Sequence, residues 1–237
     1  TTNNGRFYRY IDSPVANATI ADLQNEIFVT GNFTGRSLCT NCTTSASMFY
    51  YNEPTKAYVA YPAVSNTQTL VSGRGYSVYV RGNLVTSTKF DLRGTIVHAN
   101  DTDFDFHVTD SGDGWNLVGN PFASTIDWTS NTGWTKTNID NAVYITTNTD
   151  PSGTKFASCV NGIHTLPPSA DAATKVNLIA SGQGFWVHTN GANPVLKENE
   201  NVKRNPGSDK STFWRTSAPI NQLRINLVSA TNADATV

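Results

Sequence analysis

Methionine occurs once in 237 residues, charged side chains make up only 15 %, and cysteine appears three times. Each scarcity excludes something. With 17 basic against 18 acidic residues the formal net charge is −1, at a pI near 6.4, so there is no electrostatic footprint for nucleic acid or for an anionic membrane surface. No apolar run approaches the roughly 20 residues of a membrane-spanning helix, and membrane insertion is not expected. No amphipathic run of helical period extends beyond about two turns. The opening TTNNG has neither an initiator methionine nor a basic-then-apolar leader, which points to a mature or excised piece. Neither G-x-S-x-G nor H-E-x-x-H occurs, and His98, His107, His164 and His188 are scattered. The acidic residues fall mostly in turns, where they are solvated, so no catalytic residue is assigned and an enzyme is not expected.

What is abundant is threonine and asparagine, together about a quarter of the chain. Threonine favours strands and asparagine favours turns, and segments such as YSVYVRG, FDFHV and LRINLV are rich in β-branched and aromatic residues. An all-β chain with many tight connections follows. Cys39 and Cys42 stand in a polar CTNC loop that makes a poor zinc site and lacks redox-motif context. A local Cys39–Cys42 disulfide, with the oxidising compartment it implies, and two free thiols both remain open. Cys159 is then an odd thiol, read as buried.

The chain also repeats itself. Pro14 and Pro121 lie 107 residues apart, each after an aromatic-rich strand, and Tyr8, Ile11 and Val15 align in character with Trp115, Val118 and Phe122. LVSGRGYSVYVRG matches LIASGQGFWVHTNG, with Gly73 and Gly182 separated by 109. Between these anchors each half reads strand, turn, strand, and each proline precedes a short segment (ANATIADLQ, ASTIDW) resembling one capped helical turn. The expected architecture is all-β: two related β-sandwich-like units from an internal duplication, followed by a C-terminal extension strand. The expected units are 1–92, 93–205 and a linker with terminal strand at 206–237. The second unit is entered through a hairpin turning near Asn100–Asp101. NGIHTLPPSADAATKV is a surface loop.

GWNLVGNPFASTIDW with SGQGFWVHTNG, KENENVKR and LRINLV resemble segments of large surface proteins of Bacteroidota exported by the type IX secretion system. YRYIDSPV, TIADLQ, MFYYNE and SGRGYSVYVRG resemble the region that precedes those segments in the same proteins. The resemblance spans about residues 6 to 228. It implies a long, multi-domain, extracellular or cell-surface protein, often adhesive, in which the LRINL strand leads into further sequence.

The expected role is a non-enzymatic structural or adhesive module. Its expected partners are neighbouring domains of a longer chain or other copies of itself. One alternative is a self-assembling fibre subunit, in which the strand of Leu223, Ile225 and Leu227, without an obvious partner, completes a neighbour's sheet. Another is a glycan-binding module holding surface polysaccharide on Trp128, Trp134, Tyr58, Tyr61 and Trp214, with packing between the units as the competing reading. Trp115, Trp186, Tyr76 and Phe185 read as core. No cofactor is expected beyond calcium. Asp101, Asp103 and Asp105 are spaced like the first ligands of a calcium loop, and Asp110 and Asp113 form a second acidic pair. The loop template needs glycine where Phe106 stands and glutamate where Gly112 stands, so polar turn residues facing water are the competing reading.

Overall fold

The computed structural model describes residues 6–41, 43–81, 89–90, 92–99, 102–147, 155–167, 175–204, 224–225, 227–228 and 233–234. Its frame is two antiparallel sheets. The first runs in the order Arg6–Ile11, Tyr76–Arg81, Met48–Asn52, Ala57–Ala60. The second runs Trp115–Gly119, Gly184–His188, Ala142–Thr147, Lys155–Val160, Ile163–Thr165. The fold is all-β and sandwich-like, as composition and periodicity require.

Alternation along the strands gives each sheet two unlike faces. On the first sheet Ile11, Met48, Tyr76 and Val78 are buried in an apolar cluster with Ile20, Leu23, Val29, Phe33 and Leu70. Residues in alternate register, Tyr8, Tyr10, Phe49, Tyr51 and Tyr58, line the other face. On the second sheet Val118, Val143, Ile145, Ala157, Phe185 and Val187 join a separate core with Phe122, Ile126 and Trp128. Its opposite face carries Trp115, Tyr144, Phe156 and Trp186. The two aromatic faces meet: the rings of Tyr51, Tyr10 and Tyr58 stand edge-on to Trp186 at centroid distances of 5.0, 5.8 and 6.4 Å. Such edge-to-face pairs add about 0.5–1.5 kcal/mol each beyond burial.

The two sheets share a register. Ile11 faces Tyr76 and Arg9 faces Val78, while Val118 faces Phe185 and Asn116 faces Val187. Shifts of 107 and 109 residues, the spacings of the prolines and glycines, carry the first pairs onto the second. The contacts between units follow the same shifts. Ile11 bridges Gln183 and Val118 bridges Arg74. Asp12 N donates to Gly182 O at 2.8 Å, and Gly119 N donates to Gly73 O at 3.1 Å. Each S-G-x-G turn is thus hydrogen-bonded to the proline-terminated strand of the other unit. Glycine is required for this approach: a Cβ on Gly119 would stand 2.2 Å from Asp12 Cβ, and one on Gly184 2.8 Å from Tyr10 Cβ.

Several expectations are met locally. TIADLQ forms the helix Ile20–Gln24, started by a capping box in which Asp22 N donates to Thr19 Oγ1 and Thr19 N to Asp22 Oδ2. MFYYNEPTKAYVAY forms strand, one 3₁₀ turn at Glu53–Thr55, and strand.

Others are corrected. ASTIDW builds no helical turn; Thr125–Asp127 is a strand between Leu178–Ile179 and Lys203–Arg204, because the Asp127 carboxylate is taken by Thr129, Asn177 and Arg204 and does not cap a helix. The turn of the hairpin expected around Asn100–Asp101 lies outside the described residues, and the described strands on either side of it pair elsewhere. Thr95–Ile96 pairs with Val15–Ala16, and Phe104–Asp105 pairs with Lys197–Glu198. The chain therefore leaves the first unit after Ile96, with Leu92 in that unit's core, and not at residue 92. The terminal strand expected to lack a partner is paired within its own chain: Arg224–Ile225 runs parallel to Lys89–Phe90, and Leu227–Val228 antiparallel to Ala233–Asp234. Leu223 lies outside the described residues.

Candidate functional site

Where the aromatic faces of the two sheets diverge, an open cleft of about 460 Å³ is lined by Tyr8, Tyr10, Phe49, Tyr58 and Ser77 of the first sheet and by Thr146 and Phe156 of the second. The strand period places these side chains there, since each occupies the register opposite the aliphatic core. Three rings stay half in water: Tyr8 is 43 % exposed, Tyr58 45 % and Phe156 51 %. Tyr10 and Tyr58 join hydroxyls at 2.9 Å. Burial, then the Tyr10 hydroxyl, push the Tyr58 phenol far above its ordinary range. The lining includes no acidic, lysine, arginine or histidine side chain. It offers flat apolar faces and neutral hydroxyls, at a volume within the range of small-ligand sites.

The junction behind this cleft is fastened by Glu53, a residue that sequence reasoning passed over. The loop 109–114 of the second unit wraps its carboxylate: Thr109 Oγ1 donates at 2.8 Å, Ser111 N at 3.0 Å, Gly112 N at 2.5 Å and Gly114 N at 2.9 Å. Burial alone would push this carboxyl up, but those donors outweigh it and bring the pKa down to about 2. Beside it Tyr51 donates its hydroxyl to Asp113 Oδ2 at 2.7 Å. In the sequence, the Gly112-Asp113-Gly114 spelling is the local signal for such a loop, because a turn of this kind directs successive backbone N–H groups toward an anion.

Two further carboxyls are buried without charge partners in contact. Asp12 accepts from Ser13 N and Gly73 N, yet burial raises its pKa well above the carboxylate range. Glu198 is fully buried and neither of its oxygens has a hydrogen-bond partner among the described residues. Burial first, and the charge of Asp12 next, raise it strongly.

The residues singled out from the sequence scatter. Trp128 is only 1 % exposed, packed against Trp134 and Phe185 and covered by the Lys136 ammonium 3.5 Å from its ring centroid, so it has no face for a sugar. Its place beside a turn misled because that turn folds inward. Trp134 is half-buried against Phe106, and its indole N–H donates to Asp127 O. Tyr61 packs on Tyr50 and Tyr76 at the first core and donates its hydroxyl to Thr69 O. Of the proposed sugar platform only Tyr58 lines the cleft; Trp214 lies outside the described residues.

The calcium candidates are likewise dispersed. Asp103 accepts from Asn199, Asp105 pairs with Lys197 at 3.0 Å, Asp110 accepts from Thr189 and Asp113 from Tyr51; Asp101 lies outside the described residues. Among the described residues no three acidic, histidine or cysteine side chains gather as a metal site. Cys39 is disulfide-bonded, with Cys42 outside the described residues, and Cys159 is a buried free thiol.

A family model described as a domain of unknown function matches residues 3–236, both units together. No curated protein and no solved structure matches the chain.

Proposed function

Since the chain belongs to the DUF8693 domain family, with one family model running across both units, we propose that the two units act as one non-enzymatic, extracellular adhesive module whose aromatic cleft holds neutral carbohydrate. The observation that carries this reading is the lining of the cleft. Exposed Tyr8, Tyr58 and Phe156 faces stand beside uncharged hydroxyls, the complement of a sugar ring with one C–H face and several equatorial hydroxyls. The disulfide at Cys39 supports an oxidising, extracellular setting. The low charge and threonine/asparagine-rich surface suit exposure there.

The test is binding of neutral polysaccharides to the full chain, followed by Tyr58→Ala and Phe156→Ala. Each truncation is expected to weaken binding about tenfold, or about 1.4 kcal/mol, while melting stays cooperative. Absence of binding to any neutral polysaccharide, or affinity unaltered in both variants, overturns the reading.

A further inference from the structure

The two S-G-x-G turns hold equivalent places in the fold and are unlike in chemistry. In the second unit the turn closes on itself: Ser181 Oγ donates to Phe122 O at 2.8 Å, and Gln183 Oε1 accepts from Ala180 N at 3.0 Å, both side chains being buried. In the first unit the corresponding residues are Ser72 and Arg74. The Ser72 hydroxyl is buried and has no hydrogen-bond partner among the described residues. The Arg74 guanidinium lies over the Tyr50 ring at 4.9 Å and, among the described residues, its side chain makes no hydrogen bond or ion pair. The nearby Asp12 carboxyl accepts from Ser13 N and Gly73 N and makes no ion pair with it among the described residues.

Both uncommitted groups line one cavity of about 340 Å³ at the junction of the units, which shares no lining residue with the open cleft. Tyr50 and Tyr51 form its apolar wall, and Asp105 and His107 line it from the second unit. A buried orphan hydroxyl in a native fold calls for a partner, and an unpaired guanidinium presents a fork matched to a carboxylate. We infer that this cavity is a binding site for a sugar acid, the carboxylate held by Arg74 and Ser72, the ring against Tyr50 and Tyr51, and the hydroxyls meeting Asp105 and His107. The site is separate from the aromatic cleft and does not depend on what that cleft holds.

The experiment is ligand-observed NMR and calorimetry on the full chain with trigalacturonate, with a neutral galactose trimer and with succinate. The acid trimer is expected to bind, and to bind more weakly as salt is raised. Arg74→Gln is expected to lower its affinity tenfold or more, Arg74→Lys by less, and Ser72→Ala about threefold, with melting curves confirming that each variant is folded. No binding of the acid trimer, equal binding of the neutral trimer, or unchanged affinity in folded Arg74→Gln and Ser72→Ala overturns the site. Succinate competing as well as trigalacturonate overturns its assignment to a sugar.

Discussion

Replacing Glu53 by glutamine removes one charge and one acceptor from the ring of donors in the 109–114 loop. The carboxylate accepts from Thr109, Ser111, Gly112 and Gly114, all across the junction between the units. Hydrogen bonds to a charged acceptor are worth about 1.5–3 kcal/mol each, but they share one group and do not add. Glutamine would keep one acceptor oxygen and set an NH₂ against donors that then lack a partner. A loss of about 2–4 kcal/mol follows. For a chain of this length that lowers the melting temperature by roughly 4–16 °C.

The pH dependence supplies an independent reading. The folded pKa of Glu53 is about 2, against an ordinary 4.5, so its contribution is fully present above pH 4.5 and is lost as pH falls toward 2. Calorimetric melts of the wild type and Glu53→Gln between pH 2 and 7 should therefore converge at the acid end. A variant melting within 2 °C of wild type at pH 7, or a constant gap down to pH 2, would refute the latch.

The buried Glu198 should behave in the opposite sense. Its folded pKa is raised, so above the ordinary carboxylate value the unfolded chain releases a proton that the folded chain keeps, and stability falls as pH rises. Glu198→Gln is expected to melt higher than wild type at pH 7 and level with it below pH 4; denaturant unfolding at both pH values checks this, and destabilisation at pH 7 counts against it. At the junction, Gly119→Ala forces a Cβ onto Asp12 and should cost about 1–3 kcal/mol, read as a lower denaturant midpoint.

Much of the frame was legible because glycine, proline and aromatic residues mark geometry locally. The 107- and 109-residue spacings read from two prolines and two glycines reappear as strand register, and ANATIADLQ, which resembles a capped helical turn in the sequence, contains the helix Ile20–Gln24. What escaped was set by distant partners. Glu53 meets residues 56 to 61 positions away, and nothing in NEPT says that a carboxylate there enters a loop of the other unit. Asp127 resembles a helix-cap residue until Arg204, 77 positions on, takes its Oδ2. Thr95–Ile96 fits a hairpin until Val15–Ala16 outcompetes the local partner. Trp128 and Tyr58 look alike beside turns, and only the packing of Lys136 on one and the divergence of two sheets beside the other separate a core tryptophan from a half-exposed tyrosine.

The exchanged turns also bear on when the protein can finish folding. Ile11 and Gln183 lie 172 residues apart, and Arg74 reaches Val118 across the boundary between the halves. A chain emerging from its N-terminus can assemble the first sheet early, but the proline end of its first strand stays unsealed until the last large strand of the second sheet has arrived. Contacts of such separation are formed slowly and late. The first half thus waits, with its aromatic face uncovered, for the second to close over it, and a ribosome or export channel that released the halves at different times would set how long that wait lasts.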